Sequence, residues 1–250
     1  MGFVRWFHSF ASPPHFYRFA QRWSRWLAVV SLVLMLVGTY GGLVLAPPDY
    51  LQGEAFRIIY VHVPTAYIGM LAYVVLASTA GIGFVWRIKL AHAVAVSIAP
   101  VGASFTLLAL VTGAVWGKPM WGTYWEWGDA RLVFELLLLF LFIGYMVLRL
   151  AFDDRDKADR VSAILAVVGV INVPIIHYSV EWWSTLHQGP TIAQFDSPSI
   201  DTAMLIPLLI NIVGFTAFFA WLVLTRLQGE VLEREKATRW VQQLVVEDVK

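Results

Sequence analysis

Six apolar runs constrain this chain more than any other feature: Trp26–Leu45, Thr65–Trp86, Ala93–Val115, Leu132–Leu150, Val161–His177 and Ala203–Thr225. Crossing a hydrocarbon core as helix takes about 20 predominantly apolar residues, and these runs approach or exceed that length. Only 14% of residues are charged, against roughly 25% in a soluble domain, and mean hydropathy is +0.68. No strand-like alternation rivals the runs, which argues against a barrel. The sequence therefore predicts an all-α integral membrane protein, a six-transmembrane-helix bundle with aromatic-rich outer loops. Pro100, Pro174 and Pro207 fall inside three of the runs, where membrane helices tolerate proline when neighbours satisfy the freed carbonyls; kinks are expected there.

The first run follows a basic, aromatic stretch with Arg18, Arg22 and Arg25 and has no convincing cleavage site behind it, so it reads as a retained anchor. Three parts follow: a cytoplasmic interfacial N-terminal segment over 1–25, a membrane domain over 26–225 and a cytoplasmic tail over 226–250. The tail mixes both charge signs with Val231, Leu232, Trp240, Leu244 and Val245, as a surface helix at the membrane edge does. Net charge is +1, which carries no information about partners, and cysteine is absent. That excludes disulfides, thiolate metal sites, thiol redox chemistry and thioether attachment of a haem to this chain.

Lysine and arginine set orientation. Fifteen of the 18 lie in the N-terminal segment, the second and fourth connections and the tail, and only Arg57, Lys118 and Arg131 lie on the other side. Both termini are expected in the cytoplasm, with three outer connections over 46–64, 116–131 and 178–202. The inner connections are short and charged. The outer ones are rich in aromatics, glycine and proline and hold six of the 12 tryptophans: 116, 121, 125, 127, 182 and 183.

Of six histidines, His8, His15 and His92 belong to the inner side and read as interfacial polar residues. His62 lies in Val-His-Val-Pro just before the second run, where Pro64 is preset for helix entry. His187 lies in Leu-His-Gln-Gly-Pro before the sixth, and His177 ends the fifth, the usual place of an interfacial histidine. Two loop histidines flanking an aromatic segment suit the two axial positions of a haem iron, and tryptophan supplies broad apolar contact for a porphyrin. Arg57, Lys118 and Arg131, as the outward cations, are the candidates for its propionates. The same residues also fit an ordinary interfacial aromatic belt with incidental histidines. Zinc is less well served, with no close helical pair of histidines and no thiolate, and a cytochrome b would carry its histidines within the helices. Glu135, one turn into the fourth run, is a functional candidate by its depth or a snorkelling interfacial residue. Asn172 and Asn211 read as interhelical hydrogen-bonding residues.

The segment Trp121-Gly-Thr-Tyr-Trp125-Glu-Trp127-Gly-Asp129-Ala-Arg131-Leu resembles the tryptophan-rich WWD signature of haem-handling membrane proteins. With Val-His62-Val-Pro and Glu-Trp-Trp-Ser-Thr-Leu-His187-Gln-Gly-Pro, it is similar to one branch, the cytochrome c maturation protein C family (haem exporter protein C, CcmC). The resemblance covers nearly the whole chain. It implies an inner-membrane protein, not an enzyme, that binds haem b non-covalently and transiently on the periplasmic face. His62 and His187 are implied as axial ligands, with Trp116, Trp121, Trp125, Trp127, Asp129 and Arg131 forming the cofactor-binding platform. It further implies handover to a periplasmic haem chaperone (CcmE), ABC-type ATPase and permease partners (CcmA and CcmB), a small single-helix subunit (CcmD) and membrane lipid, without nucleic acid. The chain has no phosphate-binding Gly-Lys-Ser/Thr loop, so ATP hydrolysis falls to a partner. Two positions depart from the family pattern: Gly128 separates Trp127 from Asp129, moving the carboxylate along the loop, and Val133 stands where a hydroxyl residue is expected. The alternatives are a transporter subunit exporting haem or another substrate, which would need a polar path through the helices; a haem lyase or synthetase-type enzyme, whose members tend to be larger; and a structural assembly subunit, for which the outer histidines would be dispensable.

Overall fold

The computed structural model describes residues 12–183, 185–187 and 200–248. Residues 1–11 of the expected interfacial segment, with Arg5 and His8, lie outside the described residues. So do the Gln-Gly-Pro that follows His187 and much of the third outer connection.

The described chain is helical. In order it forms α1 (Pro13–Tyr40), continued by a π-helical turn at Gly41–Leu45; a 3-10 turn at Glu54–Ile58 leading into α2 (Ile59–Trp86); α3 (Lys89–Trp121); α4 (Ala130–Leu150); α5 (Arg155–Gly169); α6 (Asn172–Trp182); α7 (Thr202–Arg234); and α8 (Arg239–Asp248). Six helical spans are long and apolar enough to cross a membrane, with α5 and α6 together making the fifth. Among the described residues, β pairing is confined to an isolated bridge between Asp49 and Gly53. This is the expected all-α, six-span bundle, and the chain is a multi-pass membrane protein.

Every span begins before its apolar run, and the third, fifth and sixth also run past its end. Hydropathy marks the segment that must sit in hydrocarbon, whereas backbone hydrogen bonding lets a helix continue into the interface. The interior is assembled from small residues, as helix association in lipid requires. Ile68, Ala72, Leu76 and Ala80 of α2 recur every fourth residue and are fully buried. They pack with α3, which buries Ala95, Ala99, Ala103 and Ala109. On this central pair, α4 packs on α3, α5 on α2 and α4, and α7 on α2 and α3, while α1 packs chiefly on α7. Phe142, Tyr145 and Leu138 of α4 fill the centre.

Pro174 breaks the fifth span rather than kinking it. Its ring clashes with a carbonyl four residues back and it has no N–H to give, so the helix ends at Gly169 and restarts at Asn172, leaving Pro174 in a first turn where no donor is needed. The Val173 N–H takes the carbonyl of Val170 at 3.0 Å, which bridges the break. Asn172 donates from Nδ2 to the Phe134 carbonyl at 2.9 Å, the expected interhelical bond, and ties α6 to α4. The Asn211 amide oxygen accepts from Thr39 at 3.4 Å.

At the opposite end of the bundle, Asp159 is buried and accepts Arg234 through two bonds, 2.8 and 3.1 Å, and Arg149 as well. His92, near the start of α3, is buried beside this cluster. Trp240 of α8 packs against the buried cluster of Ala93, Leu227 and Val231.

Candidate functional site

The site is built around the end of α3 that carries Thr112, Trp116 and Trp121. Two glycines make it possible. Gly113 stands where a Cβ would come within 2.9 Å of the His62 ring, so glycine lets the ring approach the helix this closely. Gly122, at φ 78°, takes the left-handed conformation that stops α3, a position open to glycine at no steric cost.

His62 does not sit in a loop. The 3-10 turn at Glu54–Ile58 feeds directly into α2, which places His62 in its first turns and Pro64 inside the helix rather than at its entry. The His62 ring faces α3. Its Nδ1 lies 3.0 Å from Thr112 Oγ1, and its ring meets Trp116 edge-on at 5.6 Å between centroids. Trp116 is held in turn by a bond from its Nε1 to Gln52 Oε1 at 2.9 Å and by an edge contact with Phe56.

His187 reaches the same helix end from the third outer connection. Its ring meets Trp121 edge-on at 4.8 Å, and its Nδ1 lies 3.4 Å from Asp129 Oδ2. Trp116 and Trp121 are five residues apart, so the two histidines contact α3 about 7.5 Å apart along its axis, and they lie within electrostatic range of each other.

Asp129 is the fixed point of the aromatic segment. It is 2% exposed and caps α4, with Oδ1 accepting the Leu132 N–H at 3.1 Å. Its second oxygen accepts the Leu186 N–H at 2.7 Å as well as facing His187. Burial works against its charged form, but the bonds from His187, Leu132 and Leu186 outweigh that and hold the carboxyl at about 2. Gly128 sits in the tight approach to this cap, its N–H bonded to Glu126 Oε1 at 3.1 Å and the Asp129 N–H to the Glu126 carbonyl at 3.2 Å. Thr123 braces the same loop through Trp125. Trp125 packs into the main core and meets Trp127 edge-on at 5.3 Å, while Trp127 is 72% exposed.

The three outward cations divide by what they already hold. Arg57 pairs with Glu54 and donates to the carbonyls of Gly42 and Ala46, closing the end of α1. Lys118 donates to the Gly122 carbonyl at 2.9 Å and lies over the Tyr124 ring. Arg131 makes no hydrogen bond among the described residues, and it stands within electrostatic range of Asp129, Glu135 and His62. Glu135 is buried, and its Oε1 has no hydrogen-bond partner among the described residues. His177 is exposed beside Tyr178 and away from this cluster. No three of His, Asp and Glu converge as a metal site among the described residues.

Sequence reasoning named both histidines, the tryptophans, Asp129 and Arg131, but not Thr112, Gly113 or Gln52. The Thr-Gly pair interrupting an otherwise apolar run, one turn before Trp116, was the available signal.

The family model for heme exporter protein C (CcmC) matches residues 6–242. Heme exporter protein C of Escherichia coli is 50% identical over 239 residues, covering 96% of each chain. That of Haemophilus influenzae is 48% identical over 240 residues, covering 96% of this chain and 97% of the relative. A putative cytochrome c biosynthesis ccmC-like mitochondrial protein of Marchantia polymorpha is 42% identical over 182 residues, 73% of this chain and 76% of the relative. A multi-pass helical chain whose matched region runs almost end to end is a member of the heme exporter protein C family.

Proposed function

We propose that this protein is a non-catalytic inner-membrane haem-binding subunit that presents haem on the periplasmic face and passes it to a haem chaperone during maturation of c-type cytochromes. The observation that carries this reading is the matched setting of His62 and His187. Each ring meets a tryptophan of α3 edge-on, and each has its Nδ1 against an oxygen, Thr112 Oγ1 or Asp129 Oδ2. Both rings are thereby left with Nε2 for a metal, the arrangement in which outer partners orient ligating imidazoles.

The residues present suit a haem. His62 and His187 would supply two imidazole donors to its iron, holding the porphyrin for the chaperone. Trp116 and Trp121 wall the space beside the two rings, and Trp125 and Trp127 continue that surface outward. Arg131, which makes no side-chain hydrogen bond among the described residues, is the cation for a propionate, ahead of Arg57 and Lys118, which already serve the fold. Exposed Trp127 and Tyr124 form the face that meets the chaperone. A donor on an outer connection, His187, favours release over permanent retention. Membership in the family supports assembly with the chaperone CcmE, the ATPase and permease subunits CcmA and CcmB, and the small subunit CcmD.

The charge bias supports the orientation. With six spans both termini lie on one side, and the excess of Lys and Arg there marks it as cytoplasmic. The deciding measurement is an absorption spectrum of purified protein, wild type against His62→Ala, His187→Ala and the double variant. A Soret band in the wild type that weakens in each single variant and vanishes in the double variant is expected. Unchanged haem recovery and chaperone loading in the double variant would overturn the reading.

A further inference from the structure

Thr112 is a polar residue in an apolar stretch of α3, and its hydroxyl does two things at once. Oγ1 lies 2.7 Å from the Leu108 carbonyl and 3.1 Å from that of Ala109, both acceptors, and 3.0 Å from His62 Nδ1. A threonine hydroxyl has one proton and two lone pairs. When the hydroxyl gives its proton to a backbone carbonyl, Oγ1 can only accept from His62, and the Ala109 carbonyl is a second acceptor beside the same ring. The imidazole must therefore carry its proton on Nδ1, because an unprotonated Nδ1 would set lone pair against lone pair. The second nitrogen, Nε2, is then a free base. Gly113 and Trp116, one turn apart on the same face of α3, both border the ring.

His187 reaches the same tautomer by a different route. Its Nδ1 faces a carboxylate oxygen, Asp129 Oδ2. A carboxylate partner makes an imidazole a more basic ligand than a neutral hydroxyl does. The two histidines are thus alike in tautomer and unequal in donor strength.

We propose that Thr112 is a positioning residue for His62: it favours the Nδ1–H tautomer, leaves Nε2 as the free base, and as a neutral acceptor would make His62 the weaker of the two imidazole donors. The proposal rests on the reading of His62 and His187 as haem ligands. It gives the handover a direction, since the weaker bond is the one an incoming ligand replaces first.

The test uses the full-length purified protein loaded with ferric haem b, comparing wild type, Thr112→Val, Thr112→Ser and His62→Ala. Thr112→Val is nearly isosteric and removes the hydroxyl acceptor, leaving the Ala109 carbonyl as the remaining partner of the His62 ring. It is expected to weaken haem binding by about 10-fold, the lower end of the effect of losing an outer partner. It should also convert part of the low-spin spectrum to high-spin and shift the reduction potential to a more positive value. Added imidazole should restore the low-spin spectrum. Thr112→Ser keeps the oxygen and should match wild type in all of these. If Thr112→Val matches wild type while His62→Ala loses the low-spin spectrum, Thr112 has no such role and the ligand reading stands. Thr112→Ser failing as badly as Thr112→Val would mark a packing role and overturn the proposal. A His62→Ala spectrum identical to wild type would overturn the ligand reading itself.

Discussion

Asp129 and His187 are 58 positions apart in sequence, and the carboxylate of one lies 3.4 Å from Nδ1 of the other. The same carboxylate caps α4 and receives the Leu186 N–H, so one buried charge ties the aromatic segment, the start of a span and the histidine connection together. The glycine that precedes it in this sequence has not displaced it from a structural role.

Replacing Asp129 should therefore act on both fold and site. Asp129→Ala removes an N-cap, which costs about 1 kcal/mol, and frees the His187 connection; Asp129→Asn keeps an acceptor but loses the charge. Haem affinity is expected to fall about 10-fold in Asp129→Asn and further in Asp129→Ala. The carboxyl is held at about 2, below the ordinary value of 3.8. Its contribution is therefore fully present above about pH 4 and is lost as pH falls toward 2. Thermal stability in detergent, measured for wild type and Asp129→Asn, should differ by a constant amount from pH 8 to pH 5 and converge between pH 4 and pH 2. A difference that disappears near neutral pH would contradict this.

Arg131 and Arg57 should separate cleanly. Charge-assisted hydrogen bonds contribute about 1.5–3 kcal/mol, so Arg131→Gln is expected to weaken haem binding roughly 10- to 100-fold with normal membrane insertion. Arg57 holds the carbonyls of Gly42 and Ala46, so Arg57→Gln should lower thermal stability while folded protein binds haem as wild type does. Titration with ferric haem b and a melting curve on the same samples read both effects.

Asp159→Asn is a stability variant without a haem phenotype. It leaves Arg149 and Arg234 facing each other without their shared carboxylate, and breaking a buried pair in this way costs about 3–5 kcal/mol. The melting temperature in detergent should drop by several degrees or more. The Soret band of protein that remains folded should keep its position and shape.

Orientation is directly measurable because the natural chain lacks cysteine. Tyr50 is 91% exposed between the first two spans, and Lys236 is exposed beyond α7. A membrane-impermeant thiol reagent applied to intact cells should label Tyr50→Cys and leave Lys236→Cys unlabelled until the membrane is opened. The reverse pattern would invert the assigned topology.

The sequence by itself determined the class, the number of spans and the residues worth naming. Hydropathy, tryptophan density and the two outer histidines are local properties, and the length of an apolar run is enough to require a helix in lipid. Its reach ended where partners from distant segments decide the outcome. Composition showed His62 before a proline and suggested a loop; the 3-10 turn at Glu54–Ile58 carries the helix back past it and turns its ring onto α3. Pro174 looked like a kink, and the carbonyl it cannot pair ends one helix and begins another. Arg57 was equal to Arg131 as a charge until Gly42 and Ala46 claimed it. Thr112, Gly113 and the doubled role of Asp129 belong wholly to the tertiary structure. A hydrogen bond between residues 50 or 58 positions apart leaves no periodic trace in either segment, and only packing brings donor and acceptor together.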